Sequence, residues 1–533
     1  MFPRHSSTRM FMTSVRAVVF LLLCALAMTA QSSGPQPAAT RSAPDSSEEK
    51  TARYFETIRK SPAQLWKFLL KMPKGADLHN HLSGAIYAES YIQWAAEKGL
   101  CVNNENMALK VPPSKSACDP NSQRPASDAL TNSVFYQQLI DAWSMRNWQL
   151  SGDSGHDHFF NAFFKFGPAT YDQMGPMLAE AASRAAHGHV LYLELMLTPD
   201  GVPDGVVSSK IGDSVGWNDD PKSTLEKLKA NAIARAAETA ITNLQAAEAQ
   251  KKQLLKCDTP QADPGCTVKI RYIAQVARAS GSLGAVFAQM VTGFALANDP
   301  RSNVVGLNLV QGEDAPASMQ NFGIHMKMLK FLRPLYPDAH LTLHAGELAA
   351  GLVPPNGLTF HIRESVITAR AERIGHGVDI MQEDRANELL KDMAQRNVLV
   401  EICLSSNDTI LGISGAQHPL ATYLKFGVPV ALATDDEGLS RSEISREFLR
   451  AVQDQGLGYL QLKMMARNSL QYSFVAGGSL WSDVRKLSPV PQCANDIVVM
   501  KLSSACTQYV NGSEKAKLQW QLEQDFKAFE SGQ

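Results

Sequence analysis

From about residue 70 the chain repeats one pattern: a short β-branched or aliphatic run, then a longer stretch with helical periodicity. The runs are Ala76–Leu82, Val190–Met196, Val268–Ala274, Val304–Val310, Ala339–His344, Arg373–His376, Val398–Leu404 and Val428–Thr434. Between the second and third, Leu225, Leu228, Ala232, Ile233, Ala236 and Ala240 recur at three- and four-residue steps, the mark of an amphipathic helix. Strands alternating with helices imply a parallel sheet joined by crossover helices. Eight such units predict a closed (β/α)8 barrel, whose reactive groups belong at the C-terminal ends of the strands. An open doubly wound sheet is the alternative, but no glycine-rich phosphate fingerprint follows the first strand. Two regions fall outside the repeat. Leu100–Asn132, rich in Asn, Pro and Ser, reads as an insertion after the first strand, and Ser440–Gln533 reads as a C-terminal helical extension with a Pro/Cys-containing loop that closes the barrel.

The N-terminus has its own character. Arg4, Arg9 and Arg16 precede the apolar run Ala17–Ala27, and Ala25, Ala27 and Ala30 are candidate cleavage positions. The run is well short of the roughly 20 apolar residues that span a bilayer, so residues 1–30 read as a signal peptide. The Ser/Pro/Ala-rich stretch 31–50 reads as a flexible leader, leaving 51–533 as one barrel domain. The mature protein is therefore expected in a periplasm or outside the cell, without a membrane attachment. Cysteine usage agrees with export: Cys101/Cys118, Cys257/Cys266 and Cys493/Cys506 lie near each other in loop-like sequence as plausible local disulfides, with connectivity open, and Cys403 reads as a buried free thiol. A formal net charge of -1 offers no pull toward nucleic acid or an anionic membrane, so a small-molecule partner is expected.

Polar residues cluster at the strand ends. In His79-Asn80-His81 the two histidines, two apart in a strand, point to the same face and into the barrel mouth. His344 ends the fifth strand and Asp435 the eighth. Three imidazoles and a carboxylate make a zinc-type donor set with an open position for water, although cobalt or iron suits the same ligands. Zinc lowers the pKa of bound water to near 7, which leaves proton handling to other groups. Glu347, just past the fifth strand on a glycine-containing turn, is placed to donate to a ring nitrogen if desolvation raises its pKa. His376, between glycines at the end of the sixth strand, is placed to take the water proton or to hold the hydroxide.

The segments Met72–Gly84, Leu343–Glu347, Arg373–Gly377, His418–Leu420 and Thr434–Asp436 together resemble the adenosine and AMP deaminase family, most closely its secreted, growth-factor-related branch. The resemblance runs from about Met72 to Phe474 and implies a (β/α)8 barrel with one catalytic zinc. It implies that His79, His81, His344 and Asp435 are the zinc ligands, that Glu347 protonates purine N1, and that His376 orients the attacking hydroxide. Asp436 would contact N7, while Gly84 and the segment after the fourth strand would contact the nucleoside. The implied reaction is deamination of adenosine, and of 2′-deoxyadenosine, to inosine. The chain departs from the family where Gln311 stands in place of a glycine, leaving Gly312 to serve as the N3 contact, and where Glu437 replaces proline. His158–Phe164, with Trp143 and Trp148 nearby, reads either as an apolar lid over the purine or as an amphipathic packing helix.

Deamination of another aminopurine is the runner-up, because chemistry at C6 is independent of the sugar. AMP is less attractive, since the motifs add no Arg/Lys cluster for a phosphate. Cytidine deaminases of the His/Cys/Cys type require a Pro-Cys-x-x-Cys run that is missing here. A barrel kept for binding or signalling without catalysis is the other class, and it would be marked by a lost ligand or a missing Glu347.

Overall fold

The computed structural model describes residues 46–112, 118–202 and 205–532. The signal peptide read over 1–30 and residues 31–45 of the leader lie outside them. Residues 47–50, read as the end of the leader, are helical. A helix runs Ser47–Ile58, begun by Ser46, whose hydroxyl accepts the Glu49 N–H at 3.2 Å while the Glu49 carboxylate accepts the Ser46 N–H at 2.8 Å. This reciprocal capping satisfies two end groups that composition alone leaves open to water. Phe55 of the same helix is buried against Phe68 and Tyr459, which ties the segment to the body of the domain.

Eight parallel strands follow in chain order: β1 (Gly75–His81), β2 (Val190–Leu197), β3 (Lys269–Ala277), β4 (Val304–Val310), β5 (His340–Ala345), β6 (Arg373–His376), β7 (Leu399–Ile402) and β8 (Val430–Leu432). Each pairs with the next. The ring closes where Asp435 N–H donates to the His79 carbonyl at 2.8 Å and His81 N–H donates to the Asp435 carbonyl at 2.9 Å. Every run expected to be a strand contains one. β7 is shorter than its apolar run because the helix Leu404–Leu411 begins on the run's last residue, and β8 starts after Pro429, which has no N–H to give to the ladder. The helical segment before β3 is two helices, Pro221–Ala230 and Ala234–Leu254, broken at Ala232, whose φ of 58° cannot continue a helix.

The barrel interior carries a charged layer beneath its mouth. Arg373 of β6 is fully buried, forms an ion pair with Glu401 of β7 in which Nε lies 2.7 Å from the carboxylate, donates from a terminal nitrogen to Glu194 of β2, and lies 3.7 Å from the centroid of Phe474. Three buried charges persist there because each has a partner. The insertion after β1 contains a small antiparallel sheet, Cys101–Asn103 with Leu109–Lys110 and Gln123–Pro125. The C-terminal extension supplies the helices Ile444–Gln453, Tyr459–Gln471, Ser504–Asn511 and Glu514–Ser531. Disulfides join Cys101 to Cys118, Cys257 to Cys266 and Cys493 to Cys506, and Cys403 is a buried free thiol. Among the described residues no helix is long and apolar enough to cross a membrane.

Candidate functional site

His79, His81, His344 and Asp435 each bring one potential ligand atom to within 4.8 Å of the others at the mouth of the barrel. Asp435 Oδ1 is 3.3 Å from His79 Nε2 and 3.4 Å from His81 Nε2, and His81 Nε2 is 3.2 Å from His344 Nε2. The barrel's closure builds this cluster directly, because the bonds that join β1 to the end of β8 run through His79, His81 and Asp435. A register shift between Asp77 and Asn80 interrupts the β1 ladder, yet both histidines still reach Asp435. Asp435 holds a φ of 59° and His376 a φ of 68°, left-handed conformations that cost a non-glycine residue energy and that tend to gather at functional sites.

The outer nitrogens of the three histidines are all engaged. His79 Nδ1 is 2.7 Å from Glu401 Oε2, His81 Nδ1 is 2.6 Å from Gln275 Oε1, and His344 Nδ1 is 2.9 Å from Asn308 Oδ1. Asn308 Oδ1 also accepts the His344 backbone N–H at 2.8 Å, which fixes that amide's orientation and puts the imidazole proton on Nδ1. The carboxylate of Glu401 calls for the same tautomer in His79. The Nε2 atoms then present lone pairs to one point, where His81 and His344 have no hydrogen to share across 3.2 Å. His79 Nε2 is buried with no hydrogen-bond partner. Three imidazole lone pairs and a carboxylate, each oriented from behind by an acceptor or donor, make a donor set that suits a divalent ion of the zinc type. Ser406 Oγ donates to the other oxygen of Asp435. Burial would raise the Asp435 carboxyl, but His79 at 3.3 Å, with the imidazoles of His376 and His81 adding, outweighs it and holds it well below the usual range.

Glu347, His376 and Asp436 face this cluster. Glu347 follows β5 through Gly346, whose φ is 78° and where a Cβ would lie 2.5 Å from Asp379 Oδ1, so the turn requires glycine. Glu313, just past β4, accepts the N–H groups of Gly346 at 3.0 Å and Glu347 at 2.8 Å. Burial, with Asp435 and Glu313 adding, pushes the Glu347 carboxyl well above its ordinary range, which favours a protonated acid. Its Oε1 is 3.7 Å from His376 Nε2, which is 4.0 Å from Asp435 Oδ2. Burial lowers His376 to about 3, against the opposing pull of Asp435. Asp436 is buried, with Oδ1 unpartnered, and burial and then Asp435 push its carboxyl well above the usual range. A Cβ at Gly84 would fall 1.5 Å from that Oδ1, so Gly84 is the space into which the Asp436 carboxyl fits.

Gln311 adopts a φ of 78°, the conformation a glycine would take without strain. Its side chain turns toward the β3 loop, accepting the Ala279 N–H at 2.9 Å and donating to Ser280 Oγ at 3.1 Å, and its carbonyl accepts from Arg278 at 3.2 Å. Gly312 lies beside Phe160, whose Cζ would be 3.8 Å from a Cβ built there. Phe160 belongs to the helix Gly155–Phe166, an amphipathic packing helix. Phe159 and Phe166 are buried as packing residues, while Phe160 reaches the β4 loop, to which His156 Nε2 is linked through Asp314 at 3.2 Å. Trp143 is buried and donates to the Met107 carbonyl at 2.8 Å. Glu437 pairs with Arg184 at 3.1 Å, and burial pushes it up to about 7.

Glu401, Gln275, Asn308, Glu313 and Asn407 are site residues that motif reading passed over. Glu401 and Asn308 each interrupt an apolar strand run with one polar side chain, which is a usable signal: a lone polar group inside a barrel strand has to find a partner. Gln275 shares its strand with Lys269 and Arg271 and does not stand out. Glu313 and Asn407 carry no such mark.

Asp379, behind the Gly346 turn, is 1% exposed with both carboxyl oxygens unpartnered. Burial, then Glu313 and Glu383, push it up to about 9. A carboxyl whose folded pKa is raised favours folding most below its unfolded pKa, and that contribution is lost as pH rises toward 9. Wild-type stability should therefore fall by about 1.4 kcal/mol per pH unit from this group between about pH 4 and 9. Asp379→Asn removes the slope. Urea denaturation of both proteins across this range checks it, and parallel curves would show that Asp379 does not titrate in this way.

Residues 224–479, from the helices before β3 to beyond β8, match the family model described as adenosine deaminase. His344, Glu347, His376 and Asp435 lie inside that match, and His79 and His81 precede it. Among curated proteins, the chain is 41% identical over 140 residues to an adenosine deaminase of Salmonella heidelberg, covering 26% of this chain and 39% of that protein. It is 40% identical over 179 residues to an adenosine deaminase of Salmonella newport, covering 33% and 49%. The matched part thus spans less than half the length of these relatives. Among solved structures, Arabidopsis ADAL complexed with GMP superposes with a TM-score of 0.50 at 20% identity over 79% of this chain and 96% of that one, a likeness of fold.

Proposed function

We propose, from the adenosine deaminase domain that residues 224–479 carry, that this protein hydrolyses the 6-amino group of adenosine and 2′-deoxyadenosine, releasing inosine or 2′-deoxyinosine and ammonia. One zinc ion held by His79, His81, His344 and Asp435 is part of this reading. The observation that carries it is the convergence of three Nε2 lone pairs and the Asp435 carboxylate opposite the buried, proton-holding Glu347. Bound there, zinc supplies a Lewis acid that makes water a nucleophile at neutral pH.

The chain's own groups do the rest. Glu347 gives its proton to purine N1, drawing electron density from C6 so that a water oxygen adds there. His376 faces that oxygen, and Asp436 receives the ring edge at N7. Collapse of the adduct breaks the C6–N bond: the proton of the C6 hydroxyl passes to the amine, which leaves as ammonia, and the proton that the water gave up restores Glu347 to its acid form. Phe160, which lies beside Gly312, would pack against the bound nucleoside. Arg278 at the mouth is committed to the carbonyls of His344 and Gln311, which favours a nucleoside over a nucleotide. Three disulfides support an oxidising compartment, in keeping with export guided by residues 1–30.

Purified mature protein incubated separately with adenosine, adenine and AMP, with and without chelator, tests this. Chelator-sensitive loss of the aminopurine absorbance with adenosine alone is the expected result. Turnover of adenine or AMP instead keeps the chemistry and overturns the substrate. No turnover of any of them with metal bound favours a non-catalytic binding role.

A further inference from the structure

His418 lies 42 residues beyond His376 in the sequence, before the helix Leu420–Phe426, and is 2% exposed. It takes no part in the chemistry above, yet a chain of hydrogen bonds leads from it into the site. The Leu420 N–H donates to His418 Nδ1 at 3.2 Å, His418 Nε2 is 3.1 Å from Asn407 Oδ1, and Asn407 Nδ2 is 2.9 Å from His376 Nδ1.

The direction of this chain follows from its outer end. A backbone N–H can only donate, so His418 Nδ1 accepts. Burial, with Arg450 adding, lowers His418 to about 4, leaving a neutral ring with its one proton on Nε2. That N–H donates to Asn407 Oδ1, which turns the amide N–H of Asn407 onto His376 Nδ1. His376 Nδ1 must then accept, so the proton of a neutral His376 sits on Nε2. Rotating the Asn407 amide would set two N–H groups against each other at His418. His376 Nε2 is buried and has no partner of its own. Beside it stand Glu347 and Asp435, with the rings of His79 and His344 packed against the imidazole.

We propose that Asn407 and His418 are positioning residues that fix His376 as an Nε2–H donor, so that His376 holds the attacking oxygen in place and does not take its proton. The inference rests on the hydrolytic deaminase reading for its kinetic part and on the hydrogen-bond chain for its structural part. Asn407→Asp offers His376 Nδ1 an acceptor and draws the proton to Nδ1. His418→Gln restores both an acceptor and an N–H donor, whereas His418→Leu frees the Asn407 amide to rotate.

Nitrogen-15 NMR of the zinc-loaded full-length mature chain, labelled at histidine, reads the tautomer of His376 directly. The expected result is an Nε2–H tautomer in the wild type and in His418→Gln, and a proton on Nδ1 in Asn407→Asp. Adenosine turnover should fall about 100-fold in kcat for Asn407→Asp with KM changed less than about threefold, and the double variant with His418→Leu should be no worse. His418→Gln should stay within about threefold of wild type. An Nδ1–H tautomer in the wild type, or wild-type kcat in Asn407→Asp, overturns the proposal. If Asn407→Asp does not fold, the tautomer in His418→Leu decides, since an unchanged Nε2–H there removes the role of His418. Wild-type protein that turns over no aminopurine defeats the deaminase reading, and the tautomer still settles this one.

Discussion

Glu347→Gln should lower kcat for adenosine by about 10²–10⁴-fold while leaving one zinc per chain in place. Glutamine keeps the volume of the side chain, and the two backbone N–H bonds to Glu313 do not involve the side chain, so the turn after β5 stays formed. The amide can still hydrogen-bond to purine N1, so KM should move little. It cannot deliver a proton, and without protonation at N1 the C6 carbon keeps its electron density and resists attack. A loss in kcat with KM preserved is what removing an interaction made only in the transition state produces. Steady-state kinetics with adenosine and metal analysis of the same preparation make the measurement. Retention of more than about a tenth of the activity would take the proton-donor role away from Glu347.

Glu401→Gln should weaken zinc binding by about 10–100-fold and destabilise the fold by about 3–5 kcal/mol. One oxygen of Glu401 accepts from Thr342 Oγ1 at 2.7 Å and lies 2.7 Å from Arg373 Nε as its ion-pair partner, and the other is 2.7 Å from His79 Nδ1. Glutamine has one acceptor for these donors and turns an N–H toward either the imidazole or the guanidinium. Arg373 is then left buried with Glu194 as its remaining carboxylate, which is far costlier than losing an exposed ion pair. Burial would raise the Glu401 carboxyl, but Arg373, His79 and Thr342 overcome it and hold it below its ordinary value. A depressed carboxyl stabilises the fold above its unfolded pKa and loses that contribution as pH falls through the folded value. The deficit of the variant should therefore be full at neutral pH and shrink below about pH 4. Urea midpoints with and without zinc, at neutral and acid pH, test both halves. Wild-type midpoints and zinc affinity in the variant would show that Glu401 neither orients His79 nor neutralises Arg373.

The residues that gather at the candidate site were legible because imidazoles and carboxylates are unusual in an apolar setting. His79, His81, His344, Asp435, Glu347 and His376 stand at the ends of strand-like runs, where a core has no use for them. Their supports were harder to read. Glu401 looks like one polar residue inside Val398–Leu404, and nothing nearby says that it links His79 to Arg373. Asn407 and Glu313 sit in helix and loop sequence whose composition is ordinary. Gly84 is expected as a nucleoside contact from the resemblance alone, and only the folded chain shows that the Asp436 carboxyl packs against it.

By itself the sequence determined the barrel, its strand order, the inserted and C-terminal segments, and the residue types available for metal and proton chemistry. Periodicity and local polarity are properties of short stretches, so they survive without coordinates. Only the tertiary structure decided which atoms of those residues face one another. The proton positions on His79, His344 and His376 depend on acceptors and donors drawn from β7, β4 and the segment after β7, and the cluster of potential ligands forms only when the end of β8 pairs with β1. A hydrogen bond's direction is set by both of its partners, and in a closed barrel those partners lie tens to hundreds of residues apart.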